Sequence, residues 1–201
     1  MELDHIAISG QTRDAATQHV AQLLGVPLQM GGEHPHFGTH NTLLGLEDGL
    51  YLEAIAVDPA AAPLPHARWF GLDAFAGEPR LTNWICRVDD LEAVVAALPD
   101  AGEIVALTRG DLRWRMAVPQ DGMLPYQGMF PALIQWDGPH PAPRLTQQGV
   151  ALTALRVFHP QVSEIAQALQ PWLNAPLIEF LPGPARLEAD FETPQGKVTL
   201  R

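Results

Sequence analysis

The sequence predicts an α+β fold in which repeated βαβββ units form curved mixed sheets around a cleft, with helices on the outside. Three observations predict it. A strand–helix–strands pattern begins at Leu3, begins again at Leu81 and again at Val150, an internal period of roughly 70–80 residues. The helical stretches carry apolar residues at 3.6-residue spacing, while the strand-like stretches are short and bounded by Gly, Pro or Asp. With 201 residues, 47% of them hydrophobic, the chain is also long enough to bury a substantial core.

Leu3 to Ser9 reads as a buried strand. Thr12 to Leu24 places Ala15, Ala16, Val20, Leu23 and Leu24 on one helical face, and Gly25 followed by Pro27 supplies the stop. Leu28–Met30, Gly38–Leu46 and Leu50–Val57 follow as short strands, the last two joined by a turn over Gly45–Gly49. A Pro/Ala-rich stretch from Asp58 to Pro65 interrupts the pattern, and His66–Phe75 is expected to form a short helix. The second unit has a strand over Leu81–Val88 and a helix capped by Asp89-Asp90 that carries Leu91, Val94, Val95 and Leu98. A hairpin of Ile104–Arg109 with Leu112–Val118 turns at Gly110-Asp111, and Ala132–Trp136 closes the unit. The third unit has a strand over Val150–Phe158 and a helix starting near Pro160 with Val162, Ile165, Ala166, Leu169 and Leu173 inward. Its strands are Leu177–Leu181, Arg186–Phe191 and Lys197–Leu200. The expected organisation is a domain over 1–141, made of two paired units (1–58 and 80–138, insertion 59–79), then a third unit over 142–201. That third unit either caps the pair or meets its counterpart across a homodimer interface.

Formal net charge is −11, with only twelve Lys and Arg, so a phosphate-binding nucleic-acid surface is not expected. Cys86 is the single cysteine, which excludes an internal disulfide and a zinc–thiolate site, and its apolar setting reads as a buried structural thiol. No basic-then-apolar leader opens the chain and no apolar stretch is long enough to span a bilayer, so a cytoplasmic location is expected. No Gly-x-Gly-x-x-Gly follows a strand and no Gly-x-Ser-x-Gly elbow exists; Ser9 and Ser163 are the only serines.

A unit opening with Leu3-Asp4-His5, containing Gly38-Thr39-His40-Asn41 and closing with Tyr51-Leu52-Glu53 resembles the vicinal oxygen chelate superfamily, and within it the glyoxalase-like domains. The resemblance runs from Leu3 to about Pro141; the third unit matches only in pattern. It implies two units whose sheets curl around a divalent metal (Zn, Ni, Mn or Fe), with ligands from the first and last strands of each unit. By position, His5 and Glu53 match ligand positions of the first unit, while Asn83 and Gln135 stand where the second would offer His and Glu. His40 is the candidate third ligand, or orients Glu53 from behind. Glu53 is also the candidate for moving a proton.

Asn83 and Gln135 are otherwise candidates to hydrogen-bond a substrate carbonyl. His34 and His36 lie in a Gly/Pro-rich loop, where His36 could reach a substrate at the rim. Arg113 and Arg115 share one face of their strand; facing the cleft they would bind a carboxylate or phosphate, facing outward they form a solvated edge. Arg68, Trp69 and Phe70 lie in the insertion, which can lid the cleft or simply pack. The expected function is a metal-dependent isomerase, lyase or dioxygenase acting on a small oxygenated molecule. The alternatives are a metal-free protein that sequesters a small ligand, and a domain whose cleft is filled by Trp84 and Trp136.

Overall fold

The computed structural model describes residues 1–201. The strands are β1 (Glu2–Ser9), β2 (Gln29–His34), β3 (Thr39–Gly45), β4 (Tyr51–Val57), β5 (Arg80–Arg87), β6 (Glu103–Arg109), β7 (Leu112–Val118) and β8 (Ala132–Trp136), followed by β9 (Ala151–Phe158), β10 (Ile178–Leu181), β11 (Arg186–Thr193) and β12 (Gly196–Leu200). The helices are α1 (Arg13–Leu24), α2 (Leu91–Ala97) and α3 (Val162–Leu169). The insertion contributes a single tight helical segment, Trp69–Ala74, kinked at Phe70 and Gly71.

Two of the three helices start at a side-chain cap. Thr12 Oγ1 accepts from the Ala15 N–H at the start of α1, and Gly25 ends it in the left-handed conformation at φ 70°. Asp90 caps α2 by accepting from the Ala93 N–H.

Strands β1–β8 form one curled eight-stranded sheet, in the order β2-β3-β4-β1-β5-β8-β7-β6. β1 runs parallel to β4 and β5 parallel to β8, and the antiparallel β1–β5 pair joins the two units. The third unit makes its own sheet, β10-β9-β11-β12.

Alternation assigns the two faces. Leu3, Ile6, Ile8, Trp84, Cys86 and Leu133 face the convex side, where one continuous core includes α1, α2, α3 and the second sheet. Ala7, Ile55, Ile85, Leu107, Trp114, Met116, Ala132 and Ile134 face the concave side and pack with Trp69 and Leu72 of the insertion. The third unit therefore covers the convex face with Val150, Leu155, Ile165 and Phe191, all fully buried. The expected choice between capping the pair and seeking a partner chain thus has an intramolecular answer for its apolar surface.

Candidate functional site

One irregularity creates the site. Between Leu3 and His5 the β1–β5 register slips, because Leu3 opposes Cys86 and His5 opposes Ile85. The extra residue, Asp4, is a β-bulge, so Asp4 and His5 both project to the concave side instead of to opposite faces. Without it, strict alternation would put His5 on the same side as Leu3.

Asp4 is fully buried and accepts three hydrogen bonds. His5 Nδ1 lies 2.6 Å from Oδ1; His140 Nε2 and Trp136 Nε1 lie 2.8 and 3.1 Å from Oδ2. Burial alone would raise the Asp4 pKa, but the bonds from His140 and His5 outweigh it and hold the carboxyl well below its usual range. An ionised Asp4 is acceptor-only, so His5 donates from Nδ1 and, when neutral, carries its lone pair on Nε2. The His140 Nδ1 correspondingly accepts from the Ala142 N–H.

His5 Nε2 faces the cavity, 3.8 Å from Glu53 Oε2. Tyr51 stacks on the imidazole at a centroid distance of 4.2 Å and fixes the ring plane. Asn41 orients Glu53: its Nδ2 donates to Glu53 Oε1 at 2.5 Å, and its Oδ1 accepts from the Gly32 N–H.

Across the cavity, Arg109 at the end of β6 has no carboxylate partner. Its Nη1 donates to His34 Nε2 at 3.0 Å, and His34 Nδ1 meets Thr39 Oγ1 at 3.0 Å. Burial, then the charge of Arg109, pushes the His34 pKa down to about 3, so this imidazole stays neutral and serves as a fixed acceptor for the guanidinium. Trp69 also lines the cavity, and its buried indole Nε1 has no hydrogen-bond partner. Trp114, Trp136, Phe70 and Ile134 complete the wall of a cleft of about 430 Å³, a figure that includes its open mouth.

The expected site residues divide accordingly. His5 and Glu53 converge. His40 does not join them: in β3 it alternates with Asn41, so it faces away toward α1, 3.8 Å from Asp58, and its pKa falls through burial and the charge of Arg13. Gln135 also points outward, where its Oε1 accepts from the Leu91 N–H at the start of α2, and its neighbours Ile134 and Trp136 take the concave face. Arg113 is exposed, and Arg115 pairs with Glu92 and Asp137 on the outer face, because Trp114 and Met116 occupy the inner one. His36 sits at the exposed rim, stacked on His66 at 4.7 Å. Asn83 is buried on the concave side but lines a neighbouring cleft, not the one holding His5.

Sequence reasoning missed Asp4, Asn41, Arg109 and His140. Arg109 carried a usable signal, since it shares a strand face with the apolar Val105 and Leu107. So did Asp4, a carboxylate flanked by the apolar residues of a buried strand, which needs buried partners.

A divalent ion is the group this architecture implies, and the donor set decides whether it fits. A catalytic metal takes three protein ligands. His5 and Glu53 supply two, no third His, Cys, Asp or Glu is grouped with them, and the Arg109 guanidinium lines the same cavity. These residues do not make a three-donor metal cradle.

Two βαβββ units sharing one curled sheet, with polar groups gathered on its concave face, define a member of the vicinal oxygen chelate superfamily. Residues 3–173 match the glyoxalase-like domain, and the chain belongs to that family. Among solved structures it is similar to a hypothetical protein from Staphylococcus aureus, with 19% identity, 98% of this chain and 83% of that chain covered, and a TM-score of 0.59. It is also similar to methylmalonyl-CoA epimerase from Mycobacterium tuberculosis (20% identity, 67% and 85% covered, TM-score 0.41). A hypothetical protein from Bacillus halodurans gives 14% identity, 68% and 94% covered, and a TM-score of 0.43. The first is a likeness of fold. Comparison with curated proteins gives no match.

Proposed function

We propose that this protein is an acid–base enzyme that moves a proton at a carbon next to a carboxylate or carbonyl group of a small oxygenated molecule. The observation that carries this is the convergence of two opposite kinds of group in one cleft. His5 Nε2 and Glu53 Oε2 offer proton acceptors 3.8 Å apart. Arg109, held by His34 and free of any carboxylate, offers a site for an anion. Asp4 fixes the His5 tautomer and so leaves Nε2 to take the proton, the role a buried carboxylate plays behind a catalytic histidine. Arg109 and the Trp69 N–H would hold the substrate oxygens and bear the charge that develops on them. Glu53 would be the second proton acceptor.

Residues 1–141 then form the ligand-binding domain, and 142–201 a unit that supports it from the convex side. Both walls of the cleft come from one chain, so a homodimer is a separate proposal. No helix is long and apolar enough to cross a membrane, and a cytoplasmic location remains a proposal. Dependence on Zn, Ni, Mn or Fe is likewise separate: the approach of His5 to Glu53 supports it, and the donor count and Arg109 oppose it. Elemental analysis of protein purified without chelator decides that point.

The test is solvent exchange. Small 2-hydroxy and 2-oxo carboxylates are incubated with the protein in D₂O and loss of the C–H signal is followed by NMR. We expect exchange in the wild type and a loss of about a hundredfold or more in His5→Ala. Arg109→Met should raise the concentration needed for half-maximal exchange. Absence of both exchange and binding across the series overturns the proposal.

A further inference from the structure

A second cleft lies on the other side of Phe70 and belongs to none of the chemistry described so far. Its walls are the Trp69–Ala74 segment, the start of β5, the loop over residues 123–129, and Ala185–Leu187 with Arg201 of the third unit. It is larger than the first, about 1230 Å³ against about 430 Å³, both counted to the open mouth, so it has room for a bigger molecule. Phe70 lines both clefts and separates them. It is a non-glycine residue in the left-handed region, at φ 59°, as is Gln127 at φ 58°, which also lines the second cleft; such costly backbone tends to concentrate where a ligand binds.

Two features give this cleft a chemical preference. Three of the chain's twelve basic residues, Arg80, Arg186 and Arg201, line it, although the protein as a whole carries −11. Their ion pairs use a single carboxylate: Arg186 and Arg201 share Glu188 Oε1 at 3.1 and 3.0 Å. Burial tends to raise the Glu188 pKa, but those two bonds hold it below the usual range, so it counts as one full negative charge. Arg80 has no acidic partner. It lies over the Phe75 ring at 4.4 Å, and its Nη1 donates to the Ala76 and Glu78 carbonyls, which leaves the other edge of the guanidinium unbonded within the protein. The second feature is Asn83. It lines the cleft at 2% exposure, and its buried Oδ1 has no hydrogen-bond partner, a condition that a ligand's donor would relieve. The same lining includes the apolar side chains of Phe70, Leu124 and Leu187.

We propose that this cleft binds a small amphipathic carboxylate whose acid group meets Arg80 and Arg186, whose apolar body lies on Phe70, Leu124 and Leu187, and whose far end carries a hydroxyl or N–H that donates to Asn83 Oδ1. The site stands independently of the proton-transfer reading of the first cleft. Charge-assisted bonds to guanidinium give the affinity, and the amide supplies selectivity, because a ligand without the donor leaves Asn83 unpaired.

The probes are 3-(4-hydroxyphenyl)propanoate, 3-phenylpropanoate and 3-(4-hydroxyphenyl)propanamide, titrated by calorimetry against the full chain. We expect the hydroxy acid to bind more tightly than both others. Arg80→Glu, at an exposed position, should weaken it by about tenfold or more. Asn83→Leu should retain carboxylate binding but equalise the hydroxy and des-hydroxy acids. His5→Ala and Arg109→Met should leave the affinity unchanged. A ranking indifferent to Arg80→Glu, or affinity lost in Arg109→Met, overturns the assignment, the latter by moving the probe into the first cleft. Failure of all three probes to bind overturns it as well. Circular dichroism of each variant separates a lost site from a lost fold.

Discussion

Replacing Asp4 with Asn keeps the shape of the side chain and removes its charge, and this isolates what the bulged carboxylate does. In the folded protein it accepts from His5, His140 and Trp136 while wholly buried. An asparagine offers one oxygen to three donors and turns an NH₂ toward at least one of them. The loss comprises at least one charge-assisted bond, worth about 1.5–3 kcal/mol, and at least one buried donor left unmet, at about 1–3 kcal/mol. Relief from burying an ion offsets part of this. It cannot dominate, because the net effect of the site is to stabilise the ionised form. A destabilisation of roughly 3–5 kcal/mol is expected, a large share of the roughly 5–15 kcal/mol that a domain has. Urea unfolding at pH 7, followed by tryptophan fluorescence, measures it. The sign with pH follows from the lowered pKa. The contribution of Asp4 is complete above the unfolded value near 3.8 and is lost as pH falls below it, so the gap between wild type and variant narrows under acid conditions. Nitrogen-15 shifts of His5 give an independent readout, with Nδ1 protonated in the wild type and that preference lost in the variant. A difference below about 1 kcal/mol at pH 7, or an Nε2-protonated His5 in the wild type, would refute the account.

Two further outcomes are expected. His34 titrates near 3 when folded against 6.5 in the free side chain; the unfolded chain therefore binds a proton first, and wild-type stability falls between those values by up to about 1.4 kcal/mol per pH unit. His34→Gln keeps an acceptor for Arg109 and should show a flatter profile from pH 6 to 4, whereas parallel profiles would contradict the buried-neutral assignment. Gly122 holds the insertion in place: at φ 73° an added Cβ would lie 1.9 Å from the Arg68 carbonyl oxygen, so Gly122→Ala should cost about 2–4 kcal/mol and expose Trp69 to solvent, read as a red-shifted emission.

The sequence made the elements legible because their signals are local. The cap at Asp90, the stop at Gly25 and the hairpin at Gly110 each act within a few residues, and the structure has helices and turns there. Period-2 counting also decides which face a strand residue takes once one neighbour is anchored: Trp114 and Met116 inward means Arg113 and Arg115 outward, and Leu107 inward means Arg109 inward. The site was less legible for a physical reason. A bulge changes the counting by one residue without any local mark in the sequence, and at Asp4 that single slip puts two successive polar side chains on the same face. His40 and Asn41 show the converse. The histidine is the more familiar ligand, but the face is set by the pairing of β3 with β4, and that pairing gives Glu53 an amide as its neighbour.

The asymmetry between the units is what shapes the cleft. On β1, β3 and β4 the concave face carries Asp4, His5, Asn41, Tyr51 and Glu53. On β5, β7 and β8 the facing positions are Ile85, Ile134, Trp114 and Trp136, and the one cation comes from Arg109 at the tip of β6. A metal cradle shared between units would need donors from both walls. Here one wall holds the carboxylates and the imidazole and the other is mainly apolar, and an apolar wall strengthens each charge interaction within the cleft. The second unit thus contributes apolar surface and a single cation, Arg109; under the proposed proton transfer, that cation would hold a small anion by its oxygens while a carbon–hydrogen bond lies against His5.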